Sequence, residues 1–398
     1  MDSLEEVKKR LADEVDRRAE VLVDVSHQIH AHPELNYQEH FAHDLLTDVL
    51  AGEGLDVTRK ASGVDTAFLA TAGTSGPTVA VLCEYDALPA IGHACGHNVI
   101  AAAGLGAGLA AAALAEELGG RVVVMGTPAE EGGGGKVKLI DAGAFEGVDA
   151  ALMVHPADAD LTSMDVIAVQ QCYARYHGEA AHAAAFPQRG RNALDALVLG
   201  YMNVAALRQH IAPGERIHGI VNHGGDKPNI VPAYAQAEWM VRSPTLARLQ
   251  RLKERFTACL EGGAQAAGCT VEIEWLDPAY ADMVDNDVIG GLYTANAGVL
   301  GREVAPPTLG GRVVGSTDMG NVSYVVPSIH PMIRVAPPGV PIHTPEFATF
   351  AGGEAGDAAV IDGAKAMAMT VADLWLDQDV LAAARSEWEA SLERRGDR

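Results

Sequence analysis

The chain has 398 residues, 48% of them apolar, so it can bury a large core and form two or three domains. Its 53 acidic and 29 basic residues give a formal net charge of −24 at pH 7, which argues against nucleic acid and anionic membranes as partners. The charged N-terminus lacks the apolar stretch of a signal peptide, and the five cysteines are too scattered to suggest a disulfide framework. These features predict a cytoplasmic protein.

The first third of the chain alternates helical patterns with short β-rich runs, among them TVAVLC, VVVMGT and ALMV. Short apolar strands of this kind are typical of a sheet that helices cover on both faces. Residues 99–115 approach the length of a membrane span, but they are rich in Ala and Gly and are followed by Glu116 and Glu117. We therefore interpret them as a helix buried inside an α/β domain.

Residues 170–281 have a different pattern. They predict a strand, a helix, two strands, a helix and a strand, which is the β-α-β-β-α-β order of a ferredoxin-like domain. The α/β pattern then returns, with a final strand SIHPMIRVA and a closing helix over residues 363–376. The predicted fold class is α/β, with a helix-covered mixed-sheet domain in residues 1–169 and 282–398 and an inserted α+β (ferredoxin-like) domain in residues 170–281.

Polar residues follow three of the predicted strands directly. TVAVLC is followed by Glu84 and Asp86 and then by HACGHN, VVVMGT by PAEE, and ALMV by His155. Ligand sites in open α/β sheets form outside the carboxyl ends of the strands. Five possible metal ligands would then share one edge of the sheet: Cys95, His97, Glu130, Glu131 and His155. Thiolate, imidazole and carboxylate together suit zinc or a similar transition metal better than calcium or magnesium.

Each of these residues has a simpler explanation when it is taken alone. A buried cysteine often serves as a small apolar side chain, and a single histidine is more often a core or surface residue than a ligand. The combination is harder to explain, because adjacent carboxylates at a strand end repel unless a cation compensates them. The stretch EEGGGGKV is not a phosphate-binding loop, since Glu130 stands where the first glycine belongs and Val137 replaces the Ser or Thr.

The chain resembles peptidase family M20, a family of two-metal aminoacylases and carboxypeptidases, in its Cys-containing branch. The resemblance covers nearly the whole chain and rests on IHAHPELNYQEH, EYDALPAIGHACGHN, GTPAEEGGGG, MVHP, GEAAHAAAFP, GGDKPNIVP, GSTDMGNVS and IHTPEF, in the family's order and spacing. Within the family, EYDALP, HACGHN and KPNI are similar to the β-alanyl (Xaa-Lys/Arg) dipeptidases and to an aminobenzoyl-glutamate hydrolase subunit. Asn98 departs from the Asp that is more common at its position.

The resemblance implies a metal-dependent hydrolase that cleaves the amide bond of an N-acyl amino acid or a dipeptide. It implies two divalent metal ions per chain, zinc first, with manganese or cobalt as alternatives, held by Cys95, His97, Glu131, His155 and His343. Cys95 would take the bridging position. Glu130 would be the general base, which accepts a proton from water and later returns it to the leaving amine. Asp86 would orient the site, with a plain strand-end cap as the alternative.

The resemblance also implies that the inserted domain is a lid and the contact surface of a homodimer. His182 would reach the partner subunit's site and stabilise the oxyanion of the tetrahedral intermediate. Asn229 and Arg242 would hold the carboxylate or amide of the substrate, because a guanidinium can bind two oxygens at once. The alternatives are a solvent-facing histidine and an arginine on a strand surface.

Two other classes of function fit parts of the sequence. One is a metal-free thiol hydrolase, with Cys95 as the nucleophile beside His97 at a helix N-terminus. This alternative leaves the glutamate pair unexplained. The other is a noncatalytic binding protein that has kept the fold. The presence of every expected catalytic residue argues against it.

Overall fold

The structure, a computed structural model, describes residues 3–307 and 314–396. The described residues form helices α1 Leu4–Arg17, α2 Ala19–Ala31, α3 His40–Gly52, α4 His97–Leu118, α5 Gly135–Asp141, α6 Ala193–Leu207, α7 Leu246–Ala266, α8 Asp287–Val299, α9 Met319–Ser323, α10 Pro345–Ala351, α11 Glu354–Leu376 and α12 Gln378–Gly396. Three short 3₁₀ helices lie at Ala61–Gly63, Pro187–Arg189 and Arg208–His210.

The strands are β1 Asp56–Arg59, β2 Phe68–Ala72, β3 Thr78–Cys83, β4 Arg121–Gly126, β5 Ala150–Leu152, β6 His155–Ala157, β7 Asp165–Val166, β8 Ala168–His177, β9 Arg216–His223, β10 Tyr234–Ser243, β11 Thr270–Trp275, β12 Val314–Gly315, β13 Ser328–Ile329 and β14 Met332–Arg334. The chain divides into two compact units. The larger unit comprises the residues up to Asp165 and Met283–Arg394, and the smaller unit comprises Val166–Asp282 and the described residues 395–396. The predicted α/β class is confirmed.

The larger unit is built on a six-stranded mixed sheet with the order β1-β2-β4-β3-β5-β13. The strands β4, β3, β5 and β13 are parallel, and the β1–β2 hairpin joins them through the antiparallel pairing of β2 with β4. Every residue of β3, TVAVLC, is buried. Because side chains alternate between the two faces of a strand, both faces of the sheet must be covered at this point. This explains why the strand is continuously apolar.

The predicted final strand SIHPMIRVA is wrong as a single strand. It forms two short strands, β13 and β14, which pair with β5 and β6 respectively. Pro331 lies between them and has no N–H to donate to a neighbouring strand, so the ladder is interrupted there. The two strands belong to different sheets.

Helix α4 lies at the centre of the larger unit, in contact with α1, α2, α11, β3 and β4. By length and composition it could cross a membrane, but 89% of its most apolar window is buried inside the protein, so the predicted buried helix is confirmed. Glycines make the close contact possible. A Cβ on Gly104 would lie 2.7 Å from Cys83 Sγ, and one on Gly108 would lie 2.1 Å from Val124 Cγ2. The strands therefore pack directly against the helix backbone.

The smaller unit is a four-stranded antiparallel sheet with the order β11-β8-β10-β9, and α6 and α7 pack against it. Buried residues alternate with half-buried ones along β8 and β10, as expected when helices cover one face. The core contains Tyr176, Trp239 and Phe256. The elements follow one another in the predicted β-α-β-β-α-β order.

Replacing Gly108 by Ala tests the contact between α4 and the sheet. The added Cβ would lie 2.1 Å from Val124 Cγ2, so overpacking should lower the free energy of unfolding. We expect a loss of about 1–3 kcal/mol in denaturant titrations. Gly291→Ala is the matched control, because Gly291 lies in α8 and an added Cβ there meets nothing within 4 Å. Equal stability of both variants would contradict the close packing.

Candidate metal centre

The candidate site lies where strands of the larger unit end. Glu84 and Asp86 follow β3, Glu130 and Glu131 follow β4 after a short turn, and His155 is the first residue of β6. The start of α4 adds Cys95 and His97, and the loop before α10 adds His343. Parallel strands end at the same edge of a sheet, so residues far apart in sequence meet there.

Gly96 allows the sequence Cys-Gly-His to turn into α4. Its φ is +81°, in the left-handed region that favours glycine, and a Cβ would lie 2.9 Å from Pro156. Any other residue would be strained and would clash with the segment that carries His155. The glycine thus lets Cys95 and His97 approach His155.

The first group of donor atoms comes from Cys95, His97 and His155. All three residues are buried, and their donor atoms lie within 4.8 Å of one another. Cys95 Sγ is 3.4 Å from His155 Nε2. His155 Nδ1 contacts its neighbouring carbonyl oxygen, Pro156 O, at 2.8 Å, which leaves Nε2 turned toward the sulfur.

The second group comes from Cys95, Glu131 and His343, again with donor atoms within 4.8 Å. His343 Nε2 is 3.3 Å from Glu131 Oε1. The backbone of His343 has a φ of +64°, which is costly for a non-glycine residue, and its N–H donates to Ala94 O at 2.8 Å. Cys95 belongs to both groups, so its sulfur is available to both.

Asp86 is buried and contacts two of these residues. Its Oδ1 accepts a hydrogen bond from His97 Nδ1 at 3.0 Å, and its Oδ2 accepts one from the backbone N–H of Glu131 at 2.9 Å. With Nδ1 bound in this way, His97 presents Nε2 to the site. Burial opposes ionisation of Asp86, but the neighbouring His97 holds the pKa of its carboxyl below the usual value.

The donor set fits a divalent transition metal. His97 Nε2 and Glu131 Oε1 are buried and have no hydrogen-bond partner among the described residues. Ligand bonds to zinc of about 2.0–2.3 Å at tetrahedral angles place two ligand atoms about 3.3–3.6 Å apart. The pairs Cys95–His155 and Glu131–His343 match this separation. Five donors from Cys, His and Glu, with one sulfur shared, are what a centre of two such ions needs.

The electrostatics of the site depend on burial. Burial raises the pKa of the Cys95 thiol well above its usual value and lowers the pKa of His155 to about 4. Burial also raises the pKa of Glu130 well above the usual range, and the nearby carboxylates of Glu84 and Glu131 add to this. A bound cation would favour the anionic forms of Cys95 and Glu130.

Glu130 lies beside the first donor group. Its Oε2 is 3.9 Å from His97 Nε2, and its side chain is 9% exposed. The preceding residue, Ala129, has a φ of +61°, and its N–H donates to Glu39 Oε1 at 2.9 Å. The buried Glu39 thus holds the turn that brings Glu130 into the site. Sequence patterns do not point to Glu39, because its partner is 90 positions away.

Asn98 has a structural role that explains its departure from Asp. Its side-chain nitrogen donates to Ser26 Oγ and to Ala351 O, both at 2.9 Å. An aspartate could donate neither bond. The asparagine therefore ties the start of α4 to α2 and α10.

The residues predicted in the inserted domain lie in the smaller unit, and two of them are neighbours. Ala183 N donates to Asn229 O at 3.0 Å, and His182 forms a β-bridge with Ile230. The side chain of His182 accepts at Nδ1 from the backbone N–H groups of Ala184 and Ala185. Arg242 is half-buried on β10, where Val169 and Arg216 lie opposite it on the neighbouring strands.

The sequence profile described as peptidase family M20/M25/M40 matches residues 41–372. The chain belongs to this family. The predicted family assignment is confirmed. This M20 peptidase is 40% identical to the Xaa-Arg dipeptidase of Mus musculus, over 98% of this chain and 94% of that protein. It is 30% identical to a p-aminobenzoyl-glutamate hydrolase subunit of Escherichia coli (strain K12), over 96% and 95% of the two chains.

Solved structures share the fold of this M20 peptidase. An aminobenzoyl-glutamate utilization protein from Klebsiella pneumoniae superposes with a TM-score of 0.74 at 20% identity, over 92% of this chain and 98% of that one. A dinuclear metal-binding peptidase from Bacillus subtilis superposes with a TM-score of 0.71 at 19% identity, over 90% and 99%.

Asp86→Asn tests whether Asp86 orients the candidate ligands His97 and Glu131. The amide has one acceptor oxygen instead of two, so either His97 or the N–H of Glu131 loses its partner. We expect zinc affinity, measured by competition with a chelator, to fall about 10–100-fold. Asp149→Asn is the control, because Asp149 accepts from Thr78 N at the opposite end of β3. If both variants bind zinc with equal affinity, Asp86 does not orient the site and only caps the end of the strand.

Proposed function

We propose that this M20 peptidase hydrolyses the amide bond of dipeptides or N-acyl amino acids, with two divalent metal ions and with Glu130 as the general base. The observation that carries the proposal is the pair of donor groups that share Cys95. Cys95, His97 and His155 would hold one ion, and Cys95, Glu131 and His343 the other. When bound, such ions lower the pKa of water and polarise the carbonyl group of the substrate.

Zinc is the proposed metal, with manganese and cobalt as alternatives. The site offers one thiolate, three imidazoles and a single carboxylate ligand. Sulfur and nitrogen donors of this kind bind zinc and cobalt better than they bind magnesium or calcium. The shared Cys95 supports a bridging role, because its sulfur lies close to the donors of both groups.

Glu130 would carry the proton through the reaction. Its carboxylate would accept a proton from the attacking water and donate it to the nitrogen of the leaving amine. Burial, with the nearby Glu84 and Glu131, raises the pKa of Glu130 and so makes it a stronger proton acceptor than an exposed carboxylate. Glu131 would remain a ligand, held by the hydrogen bond from its N–H to Asp86.

The thiol hydrolase is the less favoured alternative. A nucleophilic cysteine needs a lowered pKa, whereas burial raises the pKa of Cys95. The alternative also gives no role to Glu131 or His343, whose side chains lie 3.3 Å apart.

Dipeptides with a basic residue are the first substrates to test. The relative with 40% identity over nearly the full length is named an Xaa-Arg dipeptidase. The net charge of −24 would also attract a cationic dipeptide by long-range electrostatics. In the smaller unit, Asn229 and Arg242 would bind the substrate's carboxylate or amide.

A homodimer through the smaller unit completes the proposal. This unit exposes apolar side chains on α6 and on β9: Val198, Leu199, Met202, Ile220 and Val221. Of these, Met202 and Ile220 are 61% and 63% exposed, and β9 is an edge strand. Exposed apolar surface beside a sheet edge favours contact with another chain. His182 would stabilise the oxyanion in the partner's site.

The five unpaired cysteines support a reducing, cytoplasmic location.

Glu130→Gln tests the proposed base. The variant should retain metal, because Glu130 is not one of the proposed ligands, yet turnover of the best dipeptide should fall by at least about 10²- to 10⁴-fold. Turnover and bound metal are measured on the same samples, before and after removal of the ions with a chelator. A wild-type rate that survives complete metal removal would refute the proposed function. A metal-loaded variant with normal turnover would refute only the role of Glu130 and not the metal-dependent function.

The proposed action of His182 in the partner's site is tested by mixing two inactive variants, His182→Ala and Glu130→Gln, under conditions that exchange subunits. A mixed dimer then has one site with an intact Glu130 and an intact His182, while the other site carries both defects. With free exchange about a quarter of wild-type activity should return. Demonstrated exchange without recovery would mean that His182 serves its own chain or is structural.

A further inference from the structure

Three charged side chains outside the predicted ligand set are completely buried beside the metal centre. Lys136 Nζ lies 2.5 Å from Glu84 Oε1 and 2.6 Å from Asp318 Oδ1. Asp318 Oδ2 also accepts the backbone N–H of Lys136 at 3.0 Å. Removing an ion from water costs several kcal/mol, which pairing repays only with good geometry and full hydrogen bonding. Stability alone therefore does not explain this cluster, which has two carboxylates and one ammonium group.

The second oxygen of Glu84 faces the metal centre. Glu84 Oε2 is 3.5 Å from His97 Nε2 and has no hydrogen-bond partner among the described residues, and the Glu84 side chain is 0% exposed. Glu84, His97 and Glu130 form a third group of potential ligands whose donor atoms lie within 4.8 Å of one another. His97 is thus shared between the first and third groups, as Cys95 is shared between the first and second.

Two potential ligand atoms face each other across this gap. His97 Nδ1 contacts Asp86 Oδ1 at 3.0 Å, so Nε2 is the ring nitrogen that faces Glu84 Oε2. A metal ion bound to Nε2 would therefore lie beside Glu84 Oε2. The separation of 3.5 Å is also what two ligands of one tetrahedral zinc ion show, about 3.3–3.5 Å for nitrogen and oxygen.

We propose that Glu84 Oε2 is a further protein ligand of the ion held by Cys95, His97 and His155, and that Lys136 and Asp318 fix its orientation. The ammonium group of Lys136 occupies Oε1, so Oε2 must point toward His97. The proposal rests on the dinuclear function and makes the two ions unequal. The ion on the His97 side has four protein donors, and the ion on the His343 side has three.

This inequality predicts two different zinc affinities in the wild-type protein. The ion with four donors should bind more tightly, and it should be the one that Glu84→Gln weakens. An amide is a neutral and weaker ligand than a carboxylate, so we expect the tighter affinity to fall at least about tenfold. The other affinity should change less. Both are measured by competition with a chelator, without substrate. The visible absorption spectrum of the cobalt-loaded protein should change as well, since it reports the number and kind of ligands.

Two further variants make the test decisive. Glu84→Asp keeps the charge but shortens the side chain by one methylene group. An aspartate that pairs with Lys136 should no longer reach the ion, so this variant should also lower the tighter affinity. Asp373→Asn is the matched control, because Asp373 is a buried carboxylate of the larger unit, paired with Lys8 at 2.6 Å and remote from the ligands in its contacts. It should lower thermal stability and leave both affinities and the cobalt spectrum unchanged.

The outcomes separate this proposal from the proposed function. If the wild type binds two ions and both Glu84 variants lose only thermal stability, as Asp373→Asn does, then Glu84 is a structural ion-pair partner and the inference is wrong. If the wild type does not bind two ions, the dinuclear function itself fails, and the inference fails with it.

Discussion

Mutual repulsion among buried acidic groups is the constraint on which the larger unit depends. Glu84, Asp86, Glu130 and Asp318 are all buried where the strands of its sheet end, together with the thiol of Cys95. Lys136 compensates one of the two carboxylates of Glu84 and Asp318, and His97 contacts Asp86. Two divalent cations would compensate the remaining acidic groups, which are the second of these carboxylates, the carboxyls of the glutamate pair and the thiol. The chemistry of the site and the stability of the fold around it are therefore linked through metal binding.

The fold holds these groups together with rigid elements and local backbone strain. β3 and β4 are packed against α4, whose glycines bring its backbone into contact with the strands. The turns that carry Glu131 and His343 are less relaxed, since Ala129 and His343 both have positive φ values. Tyr37, another residue with a positive φ, donates from its hydroxyl to Gly133 O in the loop that follows Glu131. Such strain persists only where surrounding contacts determine the conformation, as they do at functional sites.

Local sequence patterns predict the fold class, and together with the family resemblance they predict the proposed ligands, but they do not predict the buried ion network. Periodicity identifies the strand TVAVLC and the β-α-β-β-α-β order, because both follow from neighbouring residues. In the sequence, Lys136 is noticeable only as part of EEGGGGKV, a stretch that does not match a phosphate-binding loop. Its partners are 52 and 182 positions away, and no local pattern links residues at such distances. The predicted final strand is too long because the apolar pattern continues across Pro331, whereas the hydrogen-bond ladder is interrupted at this proline.

X-ray absorption at the zinc edge, with zinc counted on the same sample, tests whether two metal ions share the sulfur of Cys95. A thiolate shared by two ions gives each zinc one sulfur neighbour at about 2.3 Å, with nitrogen and oxygen neighbours at about 2.0–2.2 Å. We expect two zinc ions per chain, both with sulfur in their coordination shells, and the loss of that sulfur signal in Cys95→Ser. One ion per chain, or two ions without a sulfur neighbour, would contradict a dinuclear centre bridged by Cys95.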